Sequence, residues 1–204
     1  MSTRLKALII AALAFVGGAA LAVAFVPGVK ERLLPVAQVI TSGKALVGGP
    51  FSLTDHTGKR VTDKDYRGKF MLVFFGFTFC PDICPGSLQV MTEALERLGK
   101  KAERVTPLFI SVDTERDTPP ELARYVKSFH PSLVGLTGSP DDIAAAAKAY
   151  RVIYRKVKDE RSTAGFTYDH TTFFYLMDPN GEFVTHFTHG MDPKTLAERL
   201  GKYL

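Results

Sequence analysis

The two cysteines of the chain, Cys80 and Cys84, lie in the stretch FTFCPDICPGS, residues 77–87, and a proline follows each of them. Thiolates act as nucleophiles, as redox groups and as ligands for soft metal ions. The spacing is one residue longer than the redox motif C-x-x-C, and a structural zinc site needs more ligands than this stretch offers. The pair therefore indicates either redox chemistry or metal binding.

The prolines predict where the cysteines lie relative to a helix. Pro85 suits the first helical position, so we expect Cys84 to be the N-cap and Cys80 to lie in the preceding turn. Both sulfurs would then be at a helix N-terminus, where free N–H groups and the helix dipole favour an anion and lower a thiol pKa. A structural disulfide is the alternative, but so short a loop would restrain the unfolded chain little.

Two continuous apolar runs, residues 71–77 and 106–113, predict strands that are buried on both faces. The first run leads directly into the cysteine loop, which we define as residues 77–85. A hairpin is predicted over Phe51 to Asp63. The residues after the cysteine loop keep helical spacing in Leu88, Met91, Leu95 and Leu98.

Three further helices are predicted from polar residues that precede proline. Two of these starts also predict a capping box, with Thr118 and Ser139 as N-caps, and the third begins at Asp192-Pro193. A short strand is expected between the first two of these helices, and other strands at 152–157, 172–177 and 182–187. Strands that alternate with helices predict an α/β fold with helices packed on a sheet.

The N-terminus carries an apolar run without a charge from Ala7 to Val26, long enough to cross a bilayer core. We predict a transmembrane anchor over residues 1–26, a linker over 27–46 and a folded domain over 47–204. A cleaved signal peptide is the alternative, since Ala22-Val23-Ala24 resembles a cleavage site. Either way the domain is expected to be exported, so its cysteines face an oxidising compartment.

The composition is that of an ordinary globular protein, with 46% hydrophobic and 23% charged residues and a net charge of +5. No dense block of lysine and arginine occurs, which argues against nucleic-acid binding. Composition therefore leaves the cysteine loop as the main indication of function.

Three motifs of the chain resemble the SCO/SenC family of copper-binding proteins: FGFTFCPDICP, SVDTERDTP at 111–119 and YDHTTFFYLMDPNGE at 168–182. The resemblance implies a membrane anchor, a thioredoxin-like fold and a role in assembling the binuclear copper centre of cytochrome c oxidase. It also implies that Cys80 and Cys84 supply two thiolates, and His170 an imidazole, to a copper site. Phe79 and Thr114 stand where many members have histidine and proline, and neither is a ligand position.

His170 lies just before the predicted strand at 172–177. In thioredoxin-like folds the loop at this place faces the cysteines and normally carries a cis-proline, whereas residues 169–172 contain no proline. An imidazole beside two thiolates favours metal binding over general thiol–disulfide exchange.

Two thiolates and one imidazole suit Cu(I), which accepts low coordination numbers. Cu(II) and zinc would each want a fourth donor. Asp82 is one candidate for that donor. The alternative interpretation of Asp82 is an ordinary carboxylate that is exposed to solvent in a turn. Asp113 and Asp117 follow the second buried strand, and we expect them to support the site or to contact a partner.

Three functions are compatible with these residues. The first is a metallochaperone rather than an enzyme, which binds Cu(I) and Cu(II) for cytochrome c oxidase assembly. The second is a dedicated thiol–disulfide oxidoreductase with Cys80 and Cys84 as its catalytic pair, which keeps the copper-site cysteines of the oxidase or of a copper chaperone reduced. A thiol peroxidase ranks last, because no arginine is matched to the cysteine loop by a motif. Delivery and reduction can be one task, since the pair must be reduced to take copper.

The expected partners are the oxidase subunit that carries the binuclear copper site and another periplasmic copper chaperone or thioredoxin-like reductant. The expected location is the bacterial cytoplasmic membrane, with a single pass and the domain in the periplasm. The mitochondrial inner membrane is the alternative.

Overall fold

The computed structural model of the chain describes residues 46–160, 162 and 164–204. Within these residues, no helix is both long enough and apolar enough to cross a bilayer. The apolar run from Ala7 to Val26, which carries the anchor prediction, lies outside the described residues.

Nine strands are found in the described part of the chain, and their bounds in chain order are β1 (Ser52–Asp55), β2 (Arg60–Thr62), β3 (Phe70–Gly76), β4 (Val105–Ser111), β5 (Val134–Thr137), β6 (Tyr154–Lys158), β7 (Phe166–His170), β8 (Phe173–Met177) and β9 (Phe183–Thr188). Seven of them form one sheet in the order β2-β1-β5-β4-β3-β8-β9, and β6 pairs with β7 in a second sheet. The strands β3, β4 and β5 run parallel, and the other pairs are antiparallel. The apolar runs behave as expected, because every residue of β3 is buried.

In residues 46–204, apart from 161 and 163, four α-helices accompany the sheet: α1 (Ile83–Leu98), α2 (Pro119–Val126), α3 (Pro140–Ala149) and α4 (Pro193–Leu200). Short 3₁₀ segments occupy Asp63–Tyr66 and Gly99–Arg104. Helix α1 packs against α4, α2 against β5 and α3 against β1. The predicted α/β organisation is therefore confirmed.

The helix starts confirm the proline rule and correct one cap. Ser139 accepts a hydrogen bond from the backbone N–H of Asp142 at 3.2 Å, and the Asp142 carboxylate accepts one from the N–H of Ser139 in return. Thr118 is an N-cap as expected, but its side chain makes no capping hydrogen bond. The predicted capping box at Thr118 is wrong, since the carboxylate of Glu121 pairs with Arg124 one turn further on.

Strand β7 is absent from the sequence interpretation, which placed His170 in a loop before β8. The structure instead makes His170 the last residue of β7, paired with Tyr154 of β6. These two strands have no fully buried residue, so they lack the apolar run that revealed β3 and β4. Their pairing with each other, rather than burial, defines them.

The segments that carry the candidate residues meet at one edge of the large sheet. The parallel register pairs Gly76 with Ser111, so β3 and β4 end side by side. Strand β8 runs antiparallel to β3 and pairs Phe174 with Phe74, so β8 begins at that same edge. The cysteine loop, the loop after β4 and the segment before β8 are neighbours for this reason.

Gly76, the last residue of β3, leaves the space that the Cys84 sulfur needs. A Cβ atom on residue 76 would lie 2.9 Å from Sγ of Cys84 and 2.9 Å from Cε2 of Phe109. Cys84 and Phe109 are both fully buried, so neither side chain can move into solvent. Glycine at this position therefore determines how deeply the sulfur is placed.

We expect Gly76→Ala to destabilise the protein by about 1–3 kcal/mol, because the added methyl overpacks the space beside Cys84. Urea unfolding of the reduced protein measures this as a lower midpoint. Gly86→Ala is the matched control: its Cβ would meet nothing within 4 Å. Alanine in that helix is expected to leave stability unchanged or raise it by up to about 1 kcal/mol. Equal midpoints for Gly76→Ala and the parent would contradict the packing argument.

Candidate metal centre

Helix α1 carries Cys84 at its N-terminus, in a register that differs from the expectation. Asp82 is the N-cap and Ile83 the first helical residue, so Cys84 lies inside the first turn. The prediction of Cys84 as N-cap is therefore wrong. The first-turn N–H groups of a helix have no helical partner, so Pro85 costs no hydrogen bond in this position. The free N–H of Cys84 points to Sγ of Cys80 at 3.4 Å.

The two cysteines are free thiols with different surroundings: Cys80 is half-buried and Cys84 is fully buried. Hydrogen bonding from Cys84 is the largest of the effects that lower the pKa of Cys80 to about 4, against the opposing effect of burial. The pKa of Cys84 is raised, first by its hydrogen bond to Cys80 and then by burial. The expected lowering therefore holds for Cys80 and is wrong for Cys84.

His170 presents one ring nitrogen to the cysteines. Its Nε2 lies 3.5 Å from Sγ of Cys84, and its Nδ1 lies 3.0 Å from the carbonyl oxygen of Thr171. A carbonyl only accepts hydrogen bonds, so Nδ1 carries the proton in the neutral ring and Nε2 keeps its lone pair. The ring packs edge-on against Phe74 and Phe77, with centroids 6.3 and 5.8 Å away. These contacts fix both the tautomer and the orientation of the imidazole.

Asp117 anchors the beginning of the cysteine loop. Its buried carboxylate accepts hydrogen bonds from the backbone N–H of Thr78 at 2.9 Å and from the hydroxyls of Thr78 and Ser111. Burial raises the pKa of Asp117, and these hydrogen bonds oppose that rise. Since Thr78 is two residues before Cys80, Asp117 determines where the loop leaves β3.

Asp113 is also fully buried, and its carboxylate pairs with Nε of Arg116. Because Asp113 and Asp117 are buried, neither carboxylate can contact a partner protein. Of the two expected roles, the structure therefore favours support of the site. The sequence interpretation did not identify Thr78, Ser111 or Arg116. The last two lie in the motif SVDTERDTP, whose spacing alone does not show which side chain faces which segment.

The three predicted ligand residues are brought together as two contacting pairs, Cys80 with Cys84 and Cys84 with His170. In the part of the chain that the structure describes, no three His, Cys, Asp or Glu side chains already form a closed metal cluster. The fourth-donor candidate, Asp82, is exposed. Two sulfurs and one imidazole nitrogen form a soft donor set, which fits Cu(I) better than a four-coordinate zinc site.

The chain is similar to known proteins over most of the described residues. The chain matches the SCO1/SenC family model over residues 40–204. The human "Protein SCO1 homolog, mitochondrial" is 47% identical over 165 residues, which cover 79% of this chain and 54% of the human protein. Bradyrhizobium japonicum ScoI with copper bound is 48% identical with a TM-score of 0.71, covering 78% of this chain and 99% of that one.

A solved structure of BsSco, in which a disulfide switch was identified, is 26% identical with a TM-score of 0.61 over 77% of this chain and 92% of that one. BsSco is a member of the Sco family of cytochrome c oxidase assembly proteins. The present chain spans about half the length of the human relative that it matches. The family match includes the cysteine loop, the SVDTERDTP motif and His170, and the solved structures share the thioredoxin-like α/β fold. The chain belongs to the SCO1/SenC family.

Proposed function

We propose that this protein binds copper through Cys80, Cys84 and His170 and delivers it to the binuclear copper centre of cytochrome c oxidase. The observation that carries the proposal is the 3.5 Å approach of the His170 Nε2 lone pair to the Cys84 sulfur. The copper-bound B. japonicum relative and the role of BsSco in oxidase assembly support it. Copper is the cargo, and the reaction is a transfer between ligand sets.

The protonation states of the two thiols describe how the cargo would be taken up. Cys80 is already a thiolate at neutral pH, because its pKa is lowered to about 4. Cys84 holds its proton, and a metal ion that binds there must displace it. Uptake of Cu(I) therefore releases a proton from the buried sulfur, and release of Cu(I) to a partner returns one.

An apolar rim beside the site is where we place the oxidase subunit. Among the described residues, five large apolar side chains are exposed, and three of them are Phe79, Ile83 and Ile153. The first two belong to the cysteine loop, and Ile153 accepts a hydrogen bond from the N–H of Thr171, next to His170. Desolvation of such a rim on docking would exclude water from the transfer.

A second candidate function is the reduction of a partner's copper-site cysteines, and the asymmetry of the thiols favours it. The half-buried Cys80 thiolate would attack one sulfur of the partner disulfide, and the other sulfur would leave as a thiolate. Cys84 would then lose its proton and attack Cys80, which forms the Cys80–Cys84 disulfide and frees the reduced partner. The partner would be the oxidase subunit or a copper chaperone, and a thioredoxin-like reductant would restore the pair.

We further propose that residues 1–26 anchor the domain, residues 47–204, at the periplasmic face of a bacterial cytoplasmic membrane or at the equivalent face of the mitochondrial inner membrane. The full-length protein is then expected in the membrane fraction with its N-terminal run intact. Fractionation followed by N-terminal sequencing measures this. A mature chain that is soluble and begins near Phe25 would show that the run is a signal peptide.

His170→Ala separates delivery from reduction. The variant is expected to fold and to keep Cu(I), because two soft thiolates remain, but to bind Cu(II) far more weakly. If delivery is the function, cells that carry only this variant fail to assemble cytochrome c oxidase. His189→Ala is the control, since His189 is exposed and lies outside the ligand set. Full oxidase assembly with His170→Ala would overturn the delivery proposal and leave reduction as the function.

Alkylation tests the asymmetry of the two thiols. At pH 6 Cys80 is ionised, because its pKa of about 4 lies below that pH, whereas Cys84 is protonated and buried. We expect iodoacetamide to modify Cys80 at least about tenfold faster than Cys84, since only the thiolate reacts. Peptide mass spectrometry of the reduced, metal-free protein at short reaction times measures the two rates. Equal rates would contradict the assignment of Cys80 as the attacking thiol.

A further inference from the structure

The strand that ends in His170 has no backbone pairing with the large sheet. Among the described residues, β7 pairs only with β6, and the two form a sheet of their own. Apart from the chain connections at its two ends, contacts of side chains hold this hairpin, β6 and β7, against the rest of the domain. Whatever holds it also sets the distance between His170 and Cys84.

The contacts lie on one face of β7. Alternate residues of a strand point to the same side, so Phe166, Tyr168 and His170 share a face. The rings of Tyr168 and His170 both pack on the buried Phe77, at 5.5 and 5.8 Å between centroids. Phe166, at the far end, packs instead on Arg116, whose guanidinium carbon lies 4.0 Å from the ring centroid. Arg116 therefore contacts β7 at the end of the strand that is opposite to His170.

Arg116 also contacts the cysteine loop. Its guanidinium carbon lies 4.6 Å from the centroid of Phe79, the residue that directly precedes Cys80. One planar cation therefore contacts a ring from each of the two ligand-bearing segments. We call this the Arg116 stack: Arg116, Phe79 and Phe166.

The burial of the Arg116 side chain has a free-energy cost. It is only 13% exposed, and its Nε donates to the fully buried Asp113. Its Nη1 and Nη2 atoms are buried, and they have no hydrogen-bond partner among the described residues. Buried donors without partners are unfavourable, so the two aromatic faces are the main interactions that compensate these groups. Neutralisation of Asp113 alone would not require Arg116 to pack against the rings of Phe79 and Phe166.

We propose that Arg116 is a positioning residue that joins the cysteine loop to β7 and thereby places His170 against Cys84. A second link between the loop after β4 and the hairpin supports this role: Lys156 of β6 lies 2.6 Å from the Glu115 carboxylate and 3.7 Å from the centroid of Phe166. For its effect on copper, the inference rests on the proposed function.

The test is Arg116→Lys, which keeps a cation for Asp113 but loses the planar group that stacks between rings. Arg155→Lys is the matched control, because Arg155 lies on the same hairpin and pairs with Asp169 across its two strands, both side chains being exposed. Phe166→Leu removes one ring of the Arg116 stack without changing Arg116. The full-length protein is used throughout.

The first measurement is amide hydrogen exchange of the reduced protein without metal. Arg116→Lys and Phe166→Leu are expected to speed exchange over 166–170 about tenfold, the size of effect that loss of a desolvated cation–π contact produces. Exchange in β8 of both variants is expected to match the parent, and so is exchange throughout the Arg155→Lys control. Unchanged exchange over 166–170 in both variants overturns the proposal, and if Arg116→Lys does not fold, Phe166→Leu alone decides.

The second measurement is metal affinity, with Cu(II) and Cu(I) as the probes. Displacement of His170 is expected to lower the affinity for Cu(II) about tenfold in both variants. The affinity for Cu(I) is expected to stay within about twofold of the parent, because both thiolates are unchanged. Faster exchange with unchanged affinity for both ions would support the Arg116 stack as a positioning device and contradict His170 as a ligand. Unchanged exchange would therefore contradict the role of Arg116, whereas faster exchange with unchanged copper affinity would contradict the proposed copper site.

Discussion

The burial of the Cys84 sulfur at the end of β3 is the constraint on which the site depends. Sγ of Cys84 occupies space that exists because residue 76 has no side chain, and Phe109 borders the same space. From this position the Cys84 N–H reaches Cys80, and the sulfur itself reaches His170. A sulfur held in the protein interior resists ionisation, so the first thiolate forms on Cys80.

The loop after β4 supports both segments that carry the candidate ligands. Asp117 holds Thr78 at the start of the cysteine loop, and Arg116 contacts one ring in that loop and one in β7. The parallel register of β3 and β4 brings this loop beside the cysteines. Two buried carboxylates would be costly in isolation, but Asp117 accepts three hydrogen bonds and Asp113 is paired with a cation. Their burial shows that Asp113 and Asp117 support the site from beneath.

Metal transfer and thiol exchange place similar demands on the same two sulfurs. Both need Cys80 to be accessible and ionised, and both need Cys84 to give up its proton only when Cys80 has engaged a partner or an ion. His170 distinguishes them, because an imidazole with a fixed tautomer adds a metal donor but has no required part in disulfide exchange. One relative has been solved with copper bound and a disulfide switch was identified in another; the geometry of this chain is compatible with both kinds of chemistry.

The sequence by itself determined the parts of this protein that depend on neighbouring residues. Continuous apolar runs identified β3 and β4, proline after a polar residue located three helix starts, and Pro85 placed the cysteine loop at the start of a fourth helix. Only the tertiary structure decided the helical register of Cys84, the strand that ends in His170, the opposite pKa shifts of the two thiols and the contacts of Arg116. The site contacts depend on groups far apart in the chain, such as Cys84 with His170 or Arg116 with Phe166. The opposite pKa shifts depend on the hydrogen bond between the two cysteines and on burial. Burial and distance between such groups set their energies, and a local pattern contains neither quantity.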